Sequence, residues 1–134
     1  MDLTLSHAFL TVDDQDKAVA FYSGVLGLDV LNDVDFDGMR WLTVGSPDQP
    51  GVELVLLPPL GPQASERDVL LDLMRKGALG GVIFRTSDLD KTFETIRAGG
   101  GEVMQEPIDQ AYGVRDCAFR DPFGNMLRFS EPRA

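Results

Sequence analysis

Histidine, cysteine and tryptophan each occur only once among the 134 residues of this chain. The single cysteine, Cys117, cannot form an intrachain disulfide, which favours a reducing, cytoplasmic location. The single histidine, His7, cannot supply both imidazoles of a two-histidine-one-carboxylate iron site within one chain. These scarcities argue against a disulfide-stabilised scaffold and against that class of iron site.

Long hydrophobic runs and an excess of positive charge are also lacking. No segment approaches the ~20 consecutive apolar residues that span a bilayer, and residues 1–5 show no basic signal-peptide segment. The chain has 22 acidic and 12 basic residues and a net charge of -10, so it repels phosphate backbones and anionic membranes at long range. We therefore expect no nucleic-acid partner and no membrane. A hydrophobic content of 43% suits a single folded domain, residues 1–134.

The sequence contains one pattern twice. Val12–Lys17 returns as Thr86–Lys91 with a shift of 74 (88 minus 14). Further on, the shift is 75 (113 minus 38) for the pairs Gly38–Arg40 with Gly113–Arg115 and Ser46-Pro47 with Asp121-Pro122. A nearly constant offset indicates one supersecondary unit used in tandem. It also equates His7 with Gly81 and Glu53 with Arg128, and these pairs do not match chemically.

Hydrophobic alternation and turn residues predict the order strand, helix and three strands in each of two modules. In module 1, residues 1–58, a helix capped by Asp13 or Asp14 ends near Leu26, and strands are predicted at Leu5–Val12, Leu28–Asp35, Arg40–Gly45 and Val52–Pro58. In module 2, residues 81–134, a Ser87–Asp90 capping box begins the helix, and strands are predicted at Gly81–Thr86, Glu102–Pro107, Val114–Arg120 and Met126–Ser130. The connection, residues 59–80, carries a short amphipathic helix near Glu66–Lys76 and is either a linker or a lid.

The βαβββ repeat resembles the vicinal oxygen chelate superfamily, which includes glyoxalase I, bleomycin-resistance proteins and extradiol dioxygenases. Its motifs here are Ala20-Phe21-Tyr22 with Leu26-Gly27-Leu28, Tyr112-Gly113-Val114-Arg115 and Asp121-Pro122-Phe123-Gly124-Asn125. The resemblance covers essentially the whole chain. It implies an α+β fold in which the tandem βαβββ modules form an open eight-stranded cup, usually within a homodimer.

The resemblance also implies where a metal would be bound, because metal-using members carry ligands on the first and fourth strands of each module. Carried onto this chain, those places fall on His7, Glu53, Gly81 and Arg128. Glycine offers no side chain, and a guanidinium repels a divalent ion. We therefore expect a vestigial metal site, with Gly81 and Arg128 in place of ligands, and no cofactor.

Strand alternation places further side chains on the face of these four positions. The residues predicted to bind a ligand are His7, Phe9, Trp41, Thr43, Glu53, Arg85, Asp116 and Arg128. The opposite strand faces are almost purely apolar, as expected where helices cover a sheet. The mixture of aromatic and charged residues on the first face is typical of a small-molecule pocket.

Several roles stay open on this sequence. His7 is a strand histidine satisfied by nearby groups, a ligand contact or a catalytic residue. Glu53 and Arg128 can form an ion pair, which would either replace the metal or hold a ligand. Trp41 either packs in the core or a dimer interface or forms an aromatic wall.

Two functions follow from these patterns. The first is a metal-independent protein that binds and sequesters a small, partly aromatic molecule, similar to the bleomycin-resistance branch. The alternative is a glyoxalase-type lyase or isomerase, or a dioxygenase, with His7 and Glu53 as candidate catalytic residues. They would act either with a metal whose ligands are completed by water or a neighbouring subunit, or without a metal as acid and base. We favour binding, because Gly81 and Arg128 are poor metal ligands.

Overall fold

Module 1 forms a four-stranded mixed sheet. The computed structural model describes residues 1–59 and 63–133. Strands β1–β4 span His7–Thr11, Asp29–Phe36, Met39–Gly45 and Glu53–Leu57. The order in the sheet is β1-β4-β3-β2, with β1 parallel to β4 and β3 antiparallel to both of its neighbours. All four predicted strands are present, with ends shifted by at most about two residues.

Module 2 repeats this topology. Strands β5–β8 span Val82–Arg85, Glu102–Asp109, Val114–Arg120 and Met126–Pro132. Their order is β5-β8-β7-β6, and β5 is parallel to β8 as β1 is to β4. The predicted α+β fold with tandem βαβββ modules is therefore confirmed.

The helix of each module begins at an aspartate. In module 1, α1 spans Gln15–Val19 and continues as a π-helical segment, Ala20–Val25. Asp14 caps α1 by accepting a 3.0 Å hydrogen bond from the backbone N–H of Lys17. In module 2, α3 spans Leu89–Ala98, and Asp88 accepts the corresponding bond from Lys91 at 3.1 Å. The predicted capping box beginning at Ser87 is wrong, because the cap lies one residue later, at the position that the repeat equates with Asp14.

The core of each module lies on the apolar face of its sheet. Module 1 buries Leu10, Leu42, Val44 and Leu56 together with the helical residues Ala18, Phe21 and Tyr22. Module 2 buries Phe119, Leu127 and Phe129, and α3 contributes Leu89, Phe93 and Ile96. Full burial of one such large side chain stabilises the fold by about 1.5–3 kcal/mol. Cys117 is also fully buried, and burial raises its thiol pKa to about 11, as expected for an unreactive cysteine.

The connection between the modules is partly integrated into module 2. Helix α2 spans Ala64–Arg75, close to the predicted helix, and a boundary between two compact units, Met1–Leu71 and Asp72–Ala134, falls within it. A Cβ built on Gly124 would lie 2.6 Å from the carbonyl oxygen of Met74, so the end of α2 contacts the β7–β8 turn closely. No helix in residues 1–59 and 63–133 is long and apolar enough to cross a membrane.

Candidate functional site

The parallel pairing of β1 with β4 brings two polar side chains together in module 1. His7 and Glu53 are direct partners in the ladder, and His7 Nε2 lies 3.4 Å from Glu53 Oε2. The other imidazole nitrogen, Nδ1, is 2.9 Å from the hydroxyl of Ser6. The side chains of His7 and Glu53 are 38% and 25% exposed, so this pair is accessible to a ligand. The structure thus brings together two of the residues predicted for the site.

Glu53 is held in place by side chains of strands β3 and β2. Its Oε1 accepts a 2.6 Å hydrogen bond from the hydroxyl of Thr43 and a 2.8 Å bond from the amide of Asn32. The bond from Thr43 is the main cause of a lowered Glu53 pKa; burial opposes it, and Asn32 and His7 reinforce it. The carboxylate is therefore ionised at neutral pH, with one oxygen occupied and the other facing His7.

Aromatic side chains lie beside this polar pair. The Trp41 ring centroid is 6.3 Å from that of His7 and 6.3 Å from that of Phe9, and the Phe9 contact is edge-on at 72°. Phe9 is 64% exposed although it is a large apolar residue. The predicted residues His7, Phe9, Trp41, Thr43 and Glu53 thus line one continuous face of the module 1 sheet.

An apolar groove extends this face along the β2–β3 hairpin. Its walls are Val34, Phe36, Met39 and Trp41, and its volume is about 360 Å³. We call it the Trp41 groove. The walls are two cross-strand pairs, because Val34 lies opposite Trp41 and Phe36 lies opposite Met39. Phe36 is 68% exposed, so the groove presents apolar surface to solvent.

Module 2 has a buried carboxylate at the position that the repeat equates with Trp41. Asp116 is 1% exposed. Its Oδ1 accepts hydrogen bonds from the amides of Gln105, at 2.8 Å, and Gln110, at 2.9 Å. Its Oδ2 accepts a 3.0 Å bond from the Tyr112 hydroxyl and lies 3.2 Å from Nη1 of Arg128. Burial alone would raise the Asp116 pKa, but these bonds and the Arg128 charge together lower it. The carboxylate is therefore a satisfied anion, not a free base.

Arg128 is oriented by two residues of its own module. Besides its contact with Asp116, its Nη1 donates a 3.0 Å bond to the Gln105 side-chain oxygen. Arg128 lies opposite Ile83 in the β5–β8 ladder, and Arg85 lies opposite Ser130 two positions further on. Arg85 is exposed on the same face. The observed partners of Arg128 and of Glu53 belong to the module of each residue, so a direct Glu53–Arg128 ion pair stays a prediction.

The strand registers show that Arg128 is not the counterpart of Glu53. In module 1, Thr43 pairs with Val55, 12 residues later (55 minus 43). In module 2, the equivalent residue Ala118 pairs with Arg128, only 10 residues later (128 minus 118). The β7–β8 turn is thus two residues shorter than the β3–β4 turn. Arg128 therefore corresponds to Val55, and the equation with Glu53 is wrong because it assumed a constant shift.

The module 2 counterparts of the histidine–glutamate pair are Gly81 and Met126. Gly81 keeps the shift of 74 from His7, whereas Met126 takes the place of Glu53. A Cβ built on Gly81 would lie 1.8 Å from the Met126 carbonyl oxygen, a distance that no side chain tolerates. Gly81 is thus a steric requirement of the β5–β8 pairing, and it is more than a ligand position that lost its side chain.

Comparison with known protein families confirms the family resemblance that the repeat suggested. A sequence model described as "Glyoxalase/Bleomycin resistance protein/Dioxygenase superfamily" matches residues 4–129. The chain belongs to this superfamily. Its members include both binding proteins and enzymes, so membership alone leaves the activity open.

Three relatives within the superfamily are informative. UcmS2, known from a crystal structure, is 36% identical in sequence to this chain, and the two folds match with a TM-score of 0.90. The match covers 97% of this chain and 98% of the UcmS2 chain. TnmS3, described as an antibiotic binding protein from Streptomyces sp. CB03234, is 28% identical, with a TM-score of 0.79 and coverage of 98% and 97%. The probable lactoylglutathione lyase of Vibrio cholerae serotype O1 is 29% identical over 126 residues, which is 90% of this chain and 85% of the lyase.

The residues of this superfamily member do not fit a divalent metal. His7 and Glu53 provide two donors, and Oε1 of Glu53 is already engaged by Thr43 and Asn32. The counterparts in module 2 are a glycine and a thioether, which hard divalent ions do not prefer. Across residues 1–59 and 63–133, no group of three or more His, Cys, Asp or Glu side chains is placed to hold a metal ion.

Sequence alternation missed several residues of both faces. The missed residues are Asn32, Val34, Phe36 and Met39 in module 1 and Gln105, Gln110 and Tyr112 in module 2. Asn32 and Gln105 each follow a register shift in an edge strand, which reverses the simple alternation before them. The groove residues carried a usable signal, because the Asp37-Gly38 turn pairs β2 with β3 and sets Val34 opposite Trp41.

Proposed function

We propose that this protein binds and sequesters a small, partly aromatic molecule without a metal, on the module 1 face. The observation that supports this proposal most strongly is the Trp41 groove, which continues into the ionised Glu53 and His7. Exposed apolar walls with a few fixed polar groups are the usual composition of a ligand site. The groove supplies the area to be buried, and the polar pair supplies orientation.

The Glu53 arrangement supports binding more than chemistry. Two hydrogen bonds lower its basicity and fix its position, which suits a group that accepts a hydrogen bond from a ligand. A general base near neutral pH usually has a raised carboxyl pKa. The relative TnmS3, an antibiotic binding protein, points in the same direction.

A second candidate is a lyase or isomerase of the glyoxalase type. The 3.4 Å approach of His7 to Glu53 is the observation that favours it, because an imidazole held by a carboxylate can move a proton. The lactoylglutathione lyase relative adds support. Incubation of the purified protein with methylglyoxal and glutathione tests it: turnover that disappears in Glu53→Gln would establish the enzyme in place of the binding protein.

We propose further that the chain is a cytoplasmic homodimer. Strand β2 is an edge of its sheet and is exposed along its whole length, including Val30 and Leu31, which are not walls of the Trp41 groove. Association of two copies is a common means of covering such an edge. Sedimentation velocity at micromolar concentration should give the mass of two chains, and a monomer would contradict the proposal.

The binding site can be tested through the single tryptophan of the chain. Its indole N–H gives one cross-peak in a ¹H–¹⁵N spectrum, so Trp41 reports directly on the groove. We expect planar aromatic compounds that raise the melting temperature to shift this cross-peak as well. Phe36→Ala should weaken binding about tenfold or more by removing one wall of the groove.

The matched control is Val69→Ala, which shortens the apolar side chain of a 58% exposed residue on α2 that is not one of the groove walls. This variant should keep the parent affinity. A compound that stabilises the protein but neither shifts the Trp41 cross-peak nor responds to Phe36→Ala would place binding elsewhere and refute the site.

A further inference from the structure

A second polar site lies in module 2, and its central residue, Arg128, has hydrogen-bond donors that are not used within the site. Nη1 of Arg128 is bound by Asp116 and Gln105. Within residues 1–59 and 63–133, the Nε and Nη2 atoms of Arg128 have no hydrogen-bond partner. The side chain as a whole is 35% exposed. A guanidinium anchored at one nitrogen and open along the Nε–Nη2 edge is oriented but incompletely used.

The network around Arg128 fixes the direction of that edge. Gln105 binds both partners: its amide donates to Asp116 at 2.8 Å, and its oxygen accepts from Arg128 at 3.0 Å. Asp116 is buried and has donors at both oxygens, so it serves as a rigid support for the guanidinium. An arginine held in this way loses little side-chain entropy when it binds a further group.

Exposed apolar groups lie close to Arg128. The Tyr112 hydroxyl binds the same Asp116 oxygen that Arg128 approaches, and the Tyr112 side chain is 69% exposed. Ile83, the ladder partner of Arg128, is 70% exposed. Arg85 adds a second positive charge on this face, so Asp116 does not neutralise the face as a whole. The site thus combines a planar donor pair with apolar surface.

We propose that the open edge of Arg128 binds the carboxylate of an aromatic acid, with Tyr112 and Ile83 contacting the ring. The Nε–Nη2 edge matches the spacing of the two carboxylate oxygens, so the interaction is bidentate and charge-assisted. The net charge of -10 repels anions at long range. This repulsion is screened over about 8 Å at physiological ionic strength, so the contact with Arg128 determines whether the carboxylate is bound. The proposal concerns module 2 alone and stands whether or not the Trp41 groove binds a ligand.

Two probes of equal shape test it: 2-naphthoate and its neutral amide, 2-naphthamide, titrated by calorimetry at 0.15 M salt. The parent should bind the carboxylate about tenfold more tightly than the amide, the size of a charge-assisted bidentate contact. Arg128→Gln should remove the preference. Arg128→Lys keeps the charge but loses the forked edge and should retain about threefold or less.

The matched control is Arg97→Gln, which removes the same charge from an exposed residue of α3 that pairs with Glu94. It should keep the tenfold preference. Circular dichroism verifies that each variant is folded. If Arg128→Gln does not fold, Arg128→Lys alone tests the proposal. The proposal is overturned if the parent binds both probes equally or neither, or if either Arg128 variant keeps the full preference.

Discussion

Asn32 and Gln105 occupy equivalent places in the two modules, and each binds the carboxylate on its face. Both lie directly beyond a register shift in an edge strand. The amide of Asn32 donates to Glu53 at 2.8 Å, and that of Gln105 donates to Asp116 at 2.8 Å. The carboxylates themselves are not equivalent, since Glu53 lies on β4 and Asp116 on β7. A common carboxamide position therefore supports a different acid in each module.

Gly81→Ala tests whether this glycine is a steric requirement. The new Cβ would lie 1.8 Å from the Met126 carbonyl oxygen, so β5 must move away from β8. We expect a loss of about 2–4 kcal/mol in the free energy of unfolding, measured by urea denaturation. Gly80→Ala is the control, because a Cβ there meets nothing within 4 Å. Equal stability of the two variants would show that the β5–β8 approach is looser than described.

Asp116→Ala should be strongly destabilising. It removes a buried carboxylate that is the acceptor of Gln105, Gln110 and Tyr112 and the counter-ion of Arg128, so four part-buried or exposed groups lose their common partner. We expect a loss of about 2–4 kcal/mol in urea denaturation. Asp109→Ala removes a 53% exposed carboxylate with two arginine partners and should cost less than about 1 kcal/mol. A similar cost for both variants would contradict the role assigned to the buried network.

Asp88→Ala tests the cap of α3. The substitution removes the acceptor of the Lys91 N–H and should lower the free energy of unfolding by about 1 kcal/mol. Ser87→Ala changes the adjacent residue and should leave stability within about 0.5 kcal/mol. If thermal denaturation gave Ser87→Ala a lower melting temperature than Asp88→Ala, the capping box predicted at Ser87 would be correct after all.

The lowered pKa of Glu53 makes a pH-dependent contribution to stability. For a carboxyl group with a lowered folded pKa, this contribution is complete above the unfolded value, near 4.5, and is lost as the pH falls through the folded pKa. The melting temperature of Glu53→Gln should therefore lie below that of the parent at pH 7 and converge with it towards pH 3. Glu106→Gln, at an exposed strand position, should follow the parent throughout. A gap that stays constant with pH would exclude the carboxylate as its source.

The sequence predicted the elements well because strand alternation and turn residues are local. The strands and α2 lie where the pattern placed them, and His7, Phe9, Trp41, Thr43 and Glu53 share one face. The cap of α3 was misplaced because Ser87 and Asp88 are both good capping residues and neighbours in sequence. Local signals do not rank such alternatives.

The missed features depend on registers between strands. Asn32 and Gln105 lie on the polar faces of their sheets because of bulges, and no residue type in β2 or β6 predicts those bulges. The place of Arg128 depends on the length of the β7–β8 turn. The shift between equivalent residues is 75 before that turn (118 minus 43) and 73 after it (128 minus 55). Pairing between strands is a tertiary property, and a constant sequence offset cannot reveal it.

The two-residue difference between the β3–β4 and β7–β8 turns has a consequence for how tandem modules diverge. A change of one residue would send every side chain of the last strand to the opposite surface and expose its apolar half. A change of two keeps inside and outside intact but slides the whole strand past its neighbours by one pleat. Ala118 thereby faces a guanidinium where Thr43 faces a valine. Turn length in even steps thus offers a way to exchange the chemistry of a surface while the core beneath it is preserved.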